Sequence, residues 1–307
     1  MNWNDFTPDW TWRGLYNYQR LFINPRFQTD LWNTAVFTVV FIVAGLALGL
    51  GLALMLDSRI IGEGLFRTIF MAPLAISFVV TGVVWRWLES PNSGLNLIFH
   101  AVGLDFLQSK WFTDPHIGIL GTALAALWQT SGYVMALYLA GLRGIAEELR
   151  EAARIDGATE LQMFLHIILP MLNSVTLSAI IVLGHISLKI FDLSLAMTGP
   201  GPGFIIDVPG MFMYETTFLG NHFSQGAAIA TVMLLLVSLI IPYLVYTART
   251  ERSPLSATGL RSSLPSIPGR PQSRSTLKLA PSILRTASRC WRVCAVTSLM
   301  RSFIRPS

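Results

Sequence analysis

Five times along this chain, at about residues 34–56, 65–88, 117–142, 171–191 and 226–247, roughly twenty consecutive residues are predominantly apolar, the length a helix needs to cross a bilayer's hydrocarbon core. Nothing in these runs alternates with the period of a barrel strand. All five are therefore expected as helices, whose backbone groups are satisfied internally in lipid. The remaining sequence could not cover them in water: 52% of the 307 side chains are hydrophobic, 13% are charged and the mean hydropathy is +0.54. Turn signals separate the runs at Asp57-Ser58-Arg59, at Ser90-Pro91-Asn92-Ser93-Gly94 and in the Pro/Gly sequence TGPGPG from Thr198 to Gly203.

The formal charge of +5 is unevenly placed. From Arg249 onward the chain holds 11 of its 22 lysines and arginines against one acid, Glu251, while the preceding body carries 11 bases against 16 acids. The body is net negative, so nucleic acid is not an expected partner. Cys290 and Cys294 fall in the same basic stretch and give no disulfide framework. From Ser253 the composition turns to Ser, Arg and Pro without apolar periodicity, which reads as a disordered tail, 249–307. Two origins stay open for it, a basic tail beside anionic lipid or an unselected, frame-shifted sequence.

Arginine placement gives the orientation. Arg59 and Arg67 flank one turn, Arg143, Arg150 and Arg154 lie in the central loop, and Arg249 and Arg252 follow the last span, whereas residues 191–226 contain none. The central loop and the C-terminal end are expected on the cytoplasmic side. Arg13, Arg20 and Arg26 then stand outside, in a segment 1–33 with no span before it to export it. The expectation is that one more span belongs upstream.

The polar central loop is the anomaly. Residues 147–155 are good helix formers that Gly157 terminates or bends. Thr159, with Gln162 three residues on, offers a capping box for a second helix, whose apolar stripe would be Leu161, Phe164, Leu165 and Ile168. Pro170 suits the first turn of the next span, and the second helix is expected to run rigidly into it. On residues alone this is either an interfacial amphipathic turn or a docking device.

Glu151-Ala152-Ala153, Asp156-Gly157-Ala158, Phe164, Ile167, Leu169 and Pro170 match, position by position, the EAA loop of binding-protein-dependent ABC importer permeases. The resemblance runs from about residue 15 to 246. GLYNYQRLF at 14–22, MAPLAIS at 71–77, VVWRWL at 83–88, AGLRGI at 140–145 and Phe191-Asp192 leading to MTGPGP resemble carbohydrate-uptake permeases of the maltose-transporter inner-membrane type. The family usually shows Gly-Gly-Pro where residues 199–203 alternate Gly and Pro. DVPGMFMYETTF at 207–218 and QGAAIA at 225–230 look most like glucose or mannose permeases, with oligosaccharide and glucoside importers close behind.

The resemblance implies an all-α polytopic membrane bundle, the type I importer permease fold, with the family's first span missing and the permease domain at 34–248. It implies a multi-pass protein of a bacterial or archaeal cytoplasmic membrane that is no enzyme and binds no cofactor itself. Its only lysines, Lys110, Lys189 and Lys278, precede Trp111, Ile190 and Leu279, so a P-loop cannot be written. Mg-ATP would be used by two cytoplasmic ABC ATPase subunits, into which loop 143–170 would dock a coupling helix. Glu151, Ala152, Ala153, Asp156, Gly157, Ala158, Phe164 and Pro170 would form that site: Glu151 pairing with a base on the ATPase, Asp156 holding the bend or the next cap, and Phe164 anchoring the second helix. A second permease subunit, an extracytoplasmic solute-binding protein and a sugar complete the implied partners, with residues 192–215 as an outer docking surface.

Two polar clusters within the spans are candidates for the pathway. His185, Lys189 and Asp192 are spaced to share a helix face, and they either line the pathway or pair at the outer end and reach water. Trp128, Gln129 and Ser131, with Thr130 and Tyr133, give an aromatic face beside hydrogen-bonding groups, suited to a sugar, but such groups also bond helix to helix. Pro73, Ser77 and Thr81 read as a kink, and Gly45 and Gly49 as a close-packing pair. His100, His116, His166 and His222 show no ligand spacing, so no metal is expected. Against the importer stand a secondary transporter or channel and an intramembrane enzyme. The acids lie mostly in loops rather than in spans, unlike those that bind coupling ions, and no catalytic set appears.

Overall fold

The computed structural model describes residues 2–4, 7–9, 14–58, 62–109, 111, 114, 118–199 and 204–250. The basic tail from Glu251, with both cysteines, lies outside the described residues, as do Arg59 and the Gly/Pro run at 200–203. An antiparallel hairpin, β1 Asn2–Asn4 with β2 Thr7–Asp9, precedes an otherwise helical chain.

Helix α1, Tyr16–Ile23, leads through Asn24 into α2, Pro25–Asp57. Asn24 caps α2, its Oδ1 accepting from the Arg26 N–H at 2.9 Å, and Pro25 occupies the first turn where its missing N–H costs nothing. This start lies nine residues before the expected span. One face of these extra turns points inward, with Phe27 and Asp30 fully buried and Asn33 nearly so, while Gln28, Thr29 and Trp32 are exposed.

The second expected span is two helices, α3 Glu63–Met71 and α4 Phe78–Leu88, bent by 100° through a 3-10 turn, Ala72–Ala75. Pro73 and Ser77 account for the break: Pro73 cannot donate to a helical ladder, and the Ser77 hydroxyl accepts from the Val80 N–H to start α4 afresh. A short outer helix, α5 Leu95–Val102, follows.

Helix α6, Gly118–Arg143, is the axis of the bundle, with sixteen of its 26 residues buried. Lipid tails are as apolar as leucine, so in a membrane close packing rather than the hydrophobic effect must hold such a helix. Its neighbours come close enough. A Cβ on Gly49 would collide with the Val134 side chain, one on Gly45 would press Leu183 at 3.1 Å, and one on Gly132 would run into the main-chain carbonyl of Phe70 at the elbow.

The chain then leaves the bundle as α7, Glu147–Ile155, and returns through α8, Glu160–Met163, a π-turn at Phe164–Ile168 and α9, Leu169–Met171. Next come α10, Asn173–Ser187, α11, Phe191–Thr198, α12, Pro209–Tyr214, and α13, Phe223–Thr250. Among the described residues one helix, α2, is long and apolar enough to cross a membrane outright, and the bent pairs α3–α4 and Glu160–Met171 with α10 raise that to three. The kink expected at Pro73 is a full elbow. Two of the expected rods are jointed, and α6 has the length but carries Gln129, Thr130 and Ser131 in its middle.

Candidate functional site

The coupling segment is assembled by local chemistry. Glu147 and Glu148 stand in the first turn of α7 and Arg154 in its last, each placed to suit the helix dipole. The helix ends at Gly157, whose φ of +77° favours glycine. Its N–H bonds to the Arg154 carbonyl, and that of Ala158 to the Ala153 carbonyl, the paired bonds of a Schellman stop. Thr159 then caps α8: its Oγ1 accepts from the Gln162 N–H at 3.3 Å, while Gln162 Oε1 accepts from the Thr159 N–H at 2.9 Å. The expected capping box is present, so this cap comes from Thr159 and not from Asp156.

The predicted residues divide between two faces. Glu151, Ala152, Asp156 and Gly157 are exposed, and a side chain built at Gly157 would meet open space. Ala153 is buried, and Ala158 and Phe164 are half-buried against the main core. Pro170 is exposed in α9.

Two expectations are corrected here. Of the expected apolar stripe, Ile168 is buried and Phe164 half-buried, but Leu161 and Leu165 are 67% and 46% exposed, and Met163, outside the stripe, is buried. Leu165 lies within the π-turn, in which the Leu169 N–H reaches back to the Phe164 carbonyl and an added residue shifts the helical period; Leu161 precedes it, in α8. Nor is the segment rigidly continuous with the following span, because Glu160–Met171 meets α10 at 62°. Pro170 lacks the N–H to continue the ladder, and the Leu172 N–H turns to the Ile168 and Leu169 carbonyls.

Of the pathway candidates, Trp128 is 41% exposed and tilts against Trp85 with ring centroids 6.0 Å apart. Gln129 is buried and its amide donates to the Ile76 carbonyl at the elbow. Ser131 is half-buried and donates to the Trp128 carbonyl. His185, Lys189 and Asp192 are all exposed but do not share one helix. Helix α10 ends at Ser187, Lys189 sits in the turn, and Asp192 begins α11. That turn carries Ile190 into the core, and among the described residues no ion pair joins Lys189 to Asp192.

Three features escaped the sequence. Arg26, at the start of α2, lies 2.6 Å from both Asp207 and Glu215 and stacks over Phe204 and Phe212. Asn33 donates to the carbonyls of Phe204, Ile205 and Asp207. Together they seal the loop before α12 onto α2. Burial pushes the Asp207 carboxyl up, against the downward pull of Arg26. Asp30 and Glu89 are fully buried, and among the described residues neither carboxylate is hydrogen-bonded, two exceptions to acids that lie mostly in loops. Third, Arg143 pairs with Glu63 and Arg150 with Asp57 beneath the bundle. Each of these contacts joins residues far apart in sequence: Asp207 and Glu215 lie in the 207–218 stretch and Arg143 and Arg150 in the central loop, but their partners lie 80 or more positions away.

The fold is a jointed helical bundle of membrane-span candidates, with a capped, exposed helix pair leaving its axis. Residues 42–252 match the family described as binding-protein-dependent transport system inner membrane component, and the chain belongs to it: a multi-pass permease subunit of an ABC importer, not an enzyme. It is 42% identical over 252 residues to a probable ABC transporter permease of Pyrococcus horikoshii, covering 81% of this chain and 86% of that protein. It is 37% identical over 245 residues to the xylose/arabinose import permease XacH of Haloferax volcanii, covering 78% of this chain and 76% of that protein. In fold it is similar to a chain of a bacterial ABC transporter involved in the import of the acidic polysaccharide alginate, with a TM-score of 0.69 at 23% identity over 78% of this chain and 85% of that one. A binding-protein-dependent ABC system implies an ATPase and a binding protein as partners.

Proposed function

We propose that this chain forms half of the translocation pathway for a sugar and couples it to ATP hydrolysis through Glu151 to Pro170. One observation supports the coupling role above others: α7 and α8 project Ile155 and Leu161, 85% and 67% exposed, beside the charged edge of Glu151 and Asp156. Apolar groups rimmed by charge suit a protein groove better than lipid or water. Two cytoplasmic ATPase subunits holding Mg-ATP would each grip one permease, this chain and a second. Closure of the ATPase pair would swing both bundles between outward-open and inward-open states.

Sugar as cargo is supported by the Haloferax relative, a xylose/arabinose import permease, and by the resemblance to carbohydrate permeases. Glucose or mannose is the first candidate, with glucosides and oligosaccharides next. In 207–218, however, Pro209, Gly210, Met211 and Phe212 are buried, so part of that likeness concerns packing. Trp128, Gln129, Ser131, His185, Lys189 and Asp192 are the pathway positions proposed, and residues 192–215 are the stretch proposed for a solute-binding protein, where Asp192 and Phe204 are the exposed positions among the described residues. The reading is tested with the complex reconstituted in vesicles, measuring uptake of labelled sugars against unlabelled competitors with and without ATP. Saturable uptake that requires ATP and the binding protein is expected. Uptake that persists when the ATPase is omitted would instead favour a secondary transporter or channel.

A further inference from the structure

The coupling helix is joined to the bundle in the chain at both ends, through residues 144–146 to α6 and through the bend to α8. The structure shows a third connection. Asp57, the last residue of α2, accepts from Arg150 Nη1 at 3.0 Å across 93 positions of sequence. The two side chains are only 16% and 18% exposed, so water screens the pair far less than an ordinary surface pair. The same guanidinium donates from Nη2 to the Leu142 carbonyl at 3.3 Å. That carbonyl is one of the last in α6, where helix geometry leaves acceptors open and a positive charge is favoured. One side chain thus holds the ends of α2 and α6 to α7.

Because α2 is packed tightly against α6 at Gly49 and against Leu183 of α10 at Gly45, a pull at Asp57 acts on the longest helix of the bundle directly. We propose that Arg150, through Asp57, is a positioning residue for transport, carrying the displacement of α7 into α2 by a route separate from the bend at Leu172. Neither residue belongs to the EAA positions. The proposal rests on the reading of α7–α8 as the ATPase-coupling element.

The test uses the full reconstituted complex and reads sugar transported per ATP hydrolysed. Asp57→Asn is nearly isosteric, and Arg150→Lys keeps the charge but reaches only one of the two acceptors. Both are expected to assemble normally, hydrolyse ATP and lower the transport-to-hydrolysis ratio several-fold. The exchange Asp57→Arg with Arg150→Asp is expected to recover most of it. An unchanged ratio in Asp57→Asn overturns the proposal, as does an exchange variant that assembles yet stays uncoupled. If Asp57→Asn lowers only the yield of complex and not the ratio, the contact is purely structural and the proposal also falls. Gly157→Val serves as control: uncoupling there with a normal ratio in Asp57→Asn sinks this route alone, while wild-type uptake independent of ATP sinks the parent reading too.

Discussion

Gly157 sits where a β-carbon is strained, not crowded. Its φ of +77° makes an alanine there cost about 1–2 kcal/mol, and a branched side chain would also project toward whatever docks on the segment. Gly157→Val is therefore expected to leave membrane insertion intact while cutting transport per ATP, measured on the reconstituted complex. Arg26 makes a sharper case for stability. Its guanidinium lies 2.6 Å from both Asp207 and Glu215, and removing it leaves these carboxylates uncompensated. Arg26→Gln is expected to cost about 3–5 kcal/mol, seen as a lower midpoint of thermal unfolding in detergent. Gly157 and the Thr159–Gln162 box were legible in the sequence because cap and stop signals act within a few residues. Arg26 was not: Asp207 lies 181 positions away, and nothing in a local reading brings the two together.

At the scale of elements, hydropathy found the helices but not their joints. Pro73 and Ser77 announced the elbow, though not its 100° angle, which depends on what α3 and α4 pack against. Gly132 marks that contact, with the Phe70 carbonyl where its side chain would stand. Gly132→Val is expected to destabilise the bundle by about 1–3 kcal/mol through overpacking, which the same melting measurement would show. The π-turn at Phe164–Ile168 defeated the helical period, since a regular 3.6-residue repeat cannot anticipate one extra residue in a turn. Its outcome is testable: Leu161→Ser with Leu165→Ser should barely alter the subunit's own melting yet weaken ATPase association in pull-down from detergent. A large loss of subunit stability instead would show that these side chains face inward.

For the whole molecule, span prediction worked best at the periphery. Helix α2 carries Val39, Val43 and Met55 on an exposed side, and its apolarity is plain. Helix α6 is wrapped by protein, so it can carry hydrogen-bonding groups such as Gln129 and Thr130 at membrane depth, and its sequence looks less like a span for that reason. The buried acids Asp30 and Glu89 were hidden similarly, at the ends of apolar runs where an acid reads as the start of a loop.

The bend of 62° ahead of α10 has a mechanical meaning. A straight rod would deliver a thrust from below along its own axis, out of the membrane. A cranked one converts the same thrust into a sideways sweep, so a modest shift at the segment's tip becomes a tilt of the helix beyond it, in the plane where a gate between two half-bundles must open.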